Sequence, residues 1–145
     1  MTEAGGALVP ELSVGDLAAS LAFYTGLLGF SCRYSRPEEG FAFLERAGAQ
    51  IMLDQAGIGR DFDPGLSMSP RPWGRGMNLQ IRVLAVEPLL AALSRAGWAL
   101  SLPLEERWYR AGAEDLGNRQ FVVADPDGYL LRFYEDLGRR PAQAS

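Results

Sequence analysis

The sequence predicts an α+β fold made of two βαβββ modules. Three observations lead there: residues 8–14 and 78–83 read as matching strands, each is followed by a helix that glycine closes, and each helix is followed by further strands. A unit of this kind cannot cover both faces of its own sheet, so two copies in one chain are expected to share a sheet or groove.

In LVPELSV, Pro10, Leu12 and Val14 alternate with Val9, Glu11 and Ser13, the period of a half-buried strand. Pro10 confines that strand to a sheet edge or a bulge. Asp16 then caps a helix whose Leu17, Leu21, Tyr24 and Leu28 form one stripe, and Gly29 ends it. Three strands follow, at 31–35, 41–45 and 50–54, separated by Pro37–Gly40 and by Gly48. Residues 57–77 are rich in Gly, Pro, Ser and Arg without any period, which predicts a long connection of the kind that serves as a lid or stays disordered.

The pattern then restarts. NLQIRV alternates, Glu87-Pro88 opens a helix carrying Leu89, Leu90 and Leu93, and Gly97-Trp98 closes it as Gly29-Phe30 closes the first. Strands are expected near Leu100, near Trp108, at 121–124 and at 129–134, the last one after an Asp125-Pro126-Asp127-Gly128 turn. Within a single domain of residues 1–145, the first module spans 8–56, the connection 57–77 and the second module 78–136. Residues 1–6 and 138–145 are expected to be frayed ends.

A chain of 145 residues is long enough to bury a core without disulfides or structural metals. A net charge of −4 and the lack of any Lys/Arg-rich run argue against nucleic acid as a partner. Residues 1–30 contain Glu3, Pro10, Glu11 and Asp16 in place of a basic start and an unbroken apolar stretch. Neither a signal peptide nor a membrane helix is expected, and the expected location is cytoplasmic. Cys32 is the single cysteine, and with no histidine to activate it, it reads as filler and not as a nucleophile.

The stretch LSVGDLAASLAFYTGLLGF at 12–30 and the ending DPDGYLLRFYE at 125–135 resemble the vicinal-oxygen-chelate superfamily. That superfamily includes glyoxalase I, extradiol dioxygenases, fosfomycin-resistance enzymes and bleomycin-resistance proteins. The resemblance runs from Val9 to Glu135 and implies the glyoxalase/bleomycin-resistance fold, closest in character to bleomycin-resistance-like proteins. In metal-using relatives, four inward positions supply His or Glu, and the resemblance places Val9, Met52, Asn78 and Arg132 there. A two-histidine, one-carboxylate centre needs imidazoles, which this sequence lacks altogether. Glu11 and Asp54 alone offer too few oxygens for magnesium or calcium. No metal and no other cofactor is therefore expected. The acid-base groups that remain are Glu11, Asp54, Tyr109 and Tyr134. The resemblance also implies a homodimer with ligand crevices at its interface, Pro10 matching a family proline that marks an N-terminal strand exchanged with the partner.

Alternation anchored on Leu12, Ile51, Ile81 and Leu131 sends Glu11, Ser13, Gln50, Met52, Asp54, Asn78, Gln80, Arg82, Arg132 and Tyr134 to the opposite face. By itself such a face is the wet side of a sheet; the resemblance implies that it lines a cleft. Arg82 and Arg132 offer planar forks to a carboxylate or phosphate, and Glu11 and Asp54 are internal counter-charges, so pairing within the chain and ligand contact are both open. Trp73, in the connection, and Trp108-Tyr109 are the aromatic candidates for stacking on a planar ligand. The candidate ligand-binding set is thus Glu11, Asp54, Trp73, Asn78, Gln80, Arg82, Trp108, Tyr109, Arg132 and Tyr134, with no catalytic or metal-ligating residue assigned.

Together these readings describe a metal-free small-molecule binder that sequesters an antibiotic or related aromatic ligand in clefts of a homodimer. The alternative is a metal-independent isomerase or lyase that holds a small carboxylate with an arginine and moves a proton with Glu11 or Tyr109. Classical bleomycin-resistance members carry Pro-Trp-Gly before an arginine where this chain has Asp115-Leu116-Gly117-Asn118, which leaves the ligand's identity open.

Overall fold

A computed structural model describes residues 5–59 and 62–143. The chain divides into two compact units. The first runs to Arg75 and takes in Asp125–Gly128; the second comprises Gly76–Ala124 and the residues from Tyr129 onward.

Each unit holds one four-stranded mixed sheet, and the two sheets share a topology. In the first, β1 (Glu11–Val14), α1 (Leu17–Leu21), β2 (Ser31–Arg36), β3 (Phe41–Arg46) and β4 (Ala49–Gln55) give the strand order β1-β4-β3-β2. In the second, β5 (Asn78–Arg82), α2 (Glu87–Arg95), β6 (Leu102–Ala111), β7 (Glu114–Ala124) and β8 (Leu130–Pro141) give β5-β8-β7-β6. The first strand of each module lies parallel to its last, and the remaining pairs are antiparallel. The two βαβββ modules foreseen from the periodicity are therefore present, with neither sheet closed. β1 is an edge strand, as Pro10 requires, and the Pro10 carbonyl accepts the Met52 N–H at 2.9 Å.

Period-two alternation decides what each sheet buries. Leu12, Val14, Ile51 and Leu53 are at most 2% exposed, and Leu131 and Phe133 are fully buried beside Ile81. Each such side chain contributes about 1.5–3 kcal/mol relative to exposure. The parallel register then sets Glu11 beside Met52 and Ser13 beside Asp54 on the other face. In the second sheet it sets Gln80 beside Arg132 and Arg82 beside Tyr134.

The helices show why these segments fold locally. Asp16, in extended conformation, accepts the Ala18 N–H at 3.0 Å and caps α1. From Ala22 to Leu27 the helix widens to a π-helix, so the buried stripe departs from the simple helical one: Leu21 is only half-buried, whereas the neighbours Phe23 and Tyr24 both enter the core. Tyr24 meets Phe23 and Phe30 edge-on at 5.4 and 5.5 Å. Gly29 adopts a φ of 76° and ends the helix, with the Phe30 N–H on the Tyr24 carbonyl at 3.0 Å. In α2, Pro88 occupies the first turn and Leu89 and Leu93 are buried.

Three expectations are corrected. Residues 102–111 form one strand where two were expected near Leu100 and Trp108, because a register shift between Leu102 and Glu105 absorbs the break around Pro103. β7 begins at Glu114, so Gly117–Gln120 are strand residues. β8 continues to Pro141, and Arg139, Arg140 and Pro141 pair with Leu116, Asp115 and Glu114, so 138–141 are not a frayed end. Of the other expected ends, residues 1–4 and 144–145 lie outside the described residues, and the Gly6 N–H donates to Gln50 Oε1 at 2.6 Å.

The turn at Asp125–Gly128 completes the first unit. The Asp127 carboxylate accepts the Gly15 N–H at 3.1 Å and Arg71 Nη2 at 2.8 Å, and its carbonyl accepts the Trp73 N–H at 2.8 Å. Tyr24 donates its hydroxyl to Asp125 Oδ2 at 2.8 Å. Gly128 has a φ of 99°, and a Cβ there would fall 2.5 Å from Pro72 Cβ, so only glycine fits.

Candidate functional site

The polar face of each sheet opens into a cavity. In the first unit the space is about 520 Å³ and is lined by Glu11 of β1, Phe41 of β3, Asp54 of β4, Arg36, Glu39, Ile58, Gly59 and Phe62. Antiparallel register puts Phe41 directly opposite Asp54. Asp54 is 7% exposed, and Gly59 passes so near that a Cβ there would lie 1.9 Å from Asp54 Oδ1. Arg36 stacks over the Phe41 ring at 4.1 Å and bonds to Glu39. That hydrogen bond holds the Arg36 guanidinium above its ordinary pKa. Three carboxylates face one arginine, so the cavity is acidic, and Phe41, Ile58 and Phe62 supply apolar wall. On the neighbouring strands, Tyr34 of β2 stacks on Phe43 of β3 at 5.2 Å.

The second-unit cavity is about 340 Å³ and is lined by Gln80, Tyr109, Leu116, Asn118, Arg132, Tyr134, Asp136 and Arg139. Three of these residues, Tyr109, Asn118 and Arg132, belong to one hydrogen-bonded chain with Gln120 and Glu105. Gln120, 1% exposed, donates from Nε2 to Glu105 Oε2 at 2.8 Å and to the Tyr109 hydroxyl at 2.7 Å. Asn118 Nδ2 donates to Gln120 Oε1 at 3.3 Å. Arg132 Nη1 approaches the same Tyr109 oxygen at 3.4 Å.

Of the residues proposed from sequence, Glu11 and Asp54 come together in the first cavity, and Gln80, Tyr109, Arg132 and Tyr134 in the second. Asn78, Arg82, Trp73 and Trp108 line neither. Asn78 and Arg82 lie exposed along β5. Trp73 is 3% exposed, donates its indole N–H to the Ser69 carbonyl at 3.1 Å and carries Arg71 over its ring at 4.1 Å. It is packed where a flexible loop contact was expected, because its own loop folds around it. Trp108 lies against Gly117 with Arg140 stacked on it at 4.0 Å. No ion pair among the described residues engages Arg82 or Arg132.

Sequence reasoning missed Arg36, Glu39, Phe41, Ile58, Gly59 and Phe62 in the first cavity, and Leu116, Asn118, Asp136 and Arg139 in the second. It also missed Gln120, which bonds to Asn118 and Tyr109 of the second. Gln120 had a signal: it alternates with the buried Phe121 and Val123, so it must share the face of Arg132.

Among the described residues there is no group of three or more Cys, Asp or Glu placed to hold a metal ion. No helix among them is long and apolar enough to cross a membrane.

Comparison with known proteins gives a consistent result. Residues 7–133 match the family model described as the Glyoxalase/Bleomycin resistance protein/Dioxygenase superfamily. A "Bleomycin resistance protein" of Geobacillus stearothermophilus is 27% identical over 135 residues, covering 89% of this chain and 96% of that one. One of the same name from Staphylococcus aureus aligns with the same identity and coverage. Among solved structures, TioX from Micromonospora sp. ML1 superposes with a TM-score of 0.68 at 21% identity, over 92% of this chain and all 100% of its own. A virulence protein from Salmonella typhimurium gives 0.64 at 19% identity, over 93% of this chain and 97% of its own. At such identities these two structures speak for the fold alone.

Proposed function

Because the chain belongs to the Glyoxalase/Bleomycin resistance protein/Dioxygenase superfamily, we propose that it is a metal-free binder that sequesters a bulky, cationic, partly aromatic small molecule of the antibiotic class. It does so as a cytoplasmic homodimer, with the first-unit cavity as the principal binding surface. The fold by itself leaves the chemistry open, so the reading rests on the site. The observation that carries it is the buried Asp54 beside Glu11 in a cavity of about 520 Å³ walled by Phe41, Ile58 and Phe62. Carboxylates set in apolar walls favour a cation with an apolar body, and the net charge of −4 steers cations toward the protein. Relatives bearing the name of bleomycin resistance support the antibiotic class.

The metal-free part rests on donor chemistry. The resemblance to metal-using relatives puts Val9, Met52, Asn78 and Arg132, a hydrocarbon, a thioether, an amide and a cation, where those relatives carry His or Glu. These residues do not fit a transition ion. Closed two-fold symmetry is the commonest solution for a homo-oligomer, and the edge position of β1 suits an N-terminal strand exchanged between subunits.

Thermal shift with bleomycin-type glycopeptides tests the reading. A ligand at a hundredfold excess over its Kd adds about 2.7 kcal/mol of stability. The shift should shrink in Asp54→Asn and Glu11→Gln, and sedimentation should give a dimer. Stoichiometric zinc, nickel, iron or manganese in the purified protein, or equal shifts in the parent and both variants, would overturn the proposal.

A further inference from the structure

We infer that the second-unit cavity is a separate binding site for a small organic carboxylate with an apolar body, about the size of benzoate, held by Arg132 and the Tyr109 hydroxyl. This assignment does not rest on the reading of the first-unit cavity.

The argument begins at Glu105. A carboxylate only accepts hydrogen bonds, so the 2.8 Å contact from Gln120 fixes which end of that amide is Nε2. Asn118 Nδ2 on Gln120 Oε1 agrees with that orientation, and burial to 1% exposure keeps it. The same Nε2 therefore donates to Tyr109 at 2.7 Å, and Arg132 Nη1 faces the Tyr109 oxygen at 3.4 Å. Two donors converge on one phenol oxygen, so its hydrogen must go to an acceptor elsewhere. None of the described hydrogen bonds takes it.

The cation has the complementary need. No ion pair among the described residues engages Arg132, and its Nε is buried without a hydrogen-bond partner. Asp136, the carboxylate lining this cavity, accepts the Gly138 N–H at 2.8 Å, and Arg139 turns to Glu114 at 3.4 Å. A half-buried cation with no counter-ion among the described residues and a phenol hydrogen that faces solvent, Tyr109 being 38% exposed, can both be engaged by one oxyanion. A planar carboxylate suits the guanidinium fork. Leu116 and Tyr134 offer the apolar body a wall, and about 340 Å³ is near the small end for ligand cavities, which limits that body to a single ring.

Calorimetric titration of the full chain with benzoate tests this, using benzamide as the neutral isostere and inorganic phosphate as a non-planar anion. Benzoate is expected to bind saturably, with benzamide and phosphate each weaker by about tenfold or more. Tyr109→Phe keeps the ring and loses one hydroxyl, and should weaken benzoate by about tenfold. Arg132→Gln should abolish binding. Glu105→Gln acts only through the amide it orients, so it should weaken benzoate less than Tyr109→Phe does. If Arg132→Gln fails to fold, the other two variants carry the test. Asp54→Asn should leave benzoate binding unchanged, which separates this site from the first cavity. The assignment falls if benzoate does not bind, if benzamide or phosphate binds as tightly, or if Tyr109→Phe binds benzoate as the parent does.

Discussion

In the first unit the sheet face opposite the core carries Glu11, Phe41 and Asp54; at the corresponding face of the second stand Gln80, Gln120, Arg132 and Tyr134. Both faces rest on one scaffold, with the parallel pair β1-β4 matched by β5-β8 and with Leu12 and Ile51 as deeply buried as Ile81 and Leu131. What the two modules have in common is therefore the buried side. What separates them is the polar side, together with strand length: β6, β7 and β8 run 10, 11 and 12 residues against 6, 6 and 7 for β2, β3 and β4. Alternation makes this division cheap, because changing every second residue leaves the packed residues between them untouched.

That contrast breaks first in the core. Phe121 is fully buried and stacked on Phe133 at 5.6 Å, so Phe121→Ala should lower stability by about 3–5 kcal/mol in urea unfolding. A loss as small as that of a face variant would mean that the shared side is not the scaffold. Next comes Tyr24→Phe, which removes a buried donor to Asp125 and should cost about 1.5–3 kcal/mol by the same measurement.

The faces themselves give smaller stability effects and sharper functional ones. Tyr109→Phe should cost about 1 kcal/mol, since it removes a part-buried hydrogen bond from Gln120 and a long, exposed one from Arg132. Paired with Asp54→Asn, it should produce a crossed result: each variant impairs the ligand of its own cavity and spares the other. If both variants impaired both ligands, the faces would be one site.

The smallest effect concerns pH. Arg119 hydrogen-bonds to Glu87 and holds that carboxyl below its ordinary range. The folded chain thus takes up this proton at lower pH than the unfolded chain, so the contribution is complete above the ordinary carboxylate pKa and disappears as pH falls through the lowered value. Glu87→Gln should slightly flatten the acid limb of a curve of urea midpoint against pH and leave the neutral region unchanged. The pair is exposed, so solvent screening keeps the change small.

The architecture was largely legible because its signals are local. Alternation in LVPELSV and NLQIRV, Asp16 with Gly29, and Pro88 with Gly97 each report on a few neighbouring residues, and their recurrence gave the two modules. Strand extent was less legible. Gly138-Arg139-Arg140-Pro141 is turn-like in composition, yet these residues are held in β8 by pairing with a strand more than twenty positions earlier. The sites were half legible for the same reason. Alternation found Glu11, Asp54, Gln80, Arg132 and Tyr134, but it carries nothing about which loop folds over a face, and so Ile58, Gly59 and Phe62 went unseen. Trp73 shows the reverse: a loop residue by composition, it is buried, and Asp127, more than fifty positions later, accepts its backbone N–H.

The Asp125–Gly128 turn also bears on how the protein is made. Translation releases residues up to Arg75 well before these four exist, so for that interval the amides of Gly15 and Trp73 and the hydroxyl of Tyr24 lack the acceptors they finally bind. A gene cut after Arg75 would yield a late polypeptide that holds the whole second unit and an early one short of four residues of its own, and the early fragment would reach its final form only when the late one is supplied in trans.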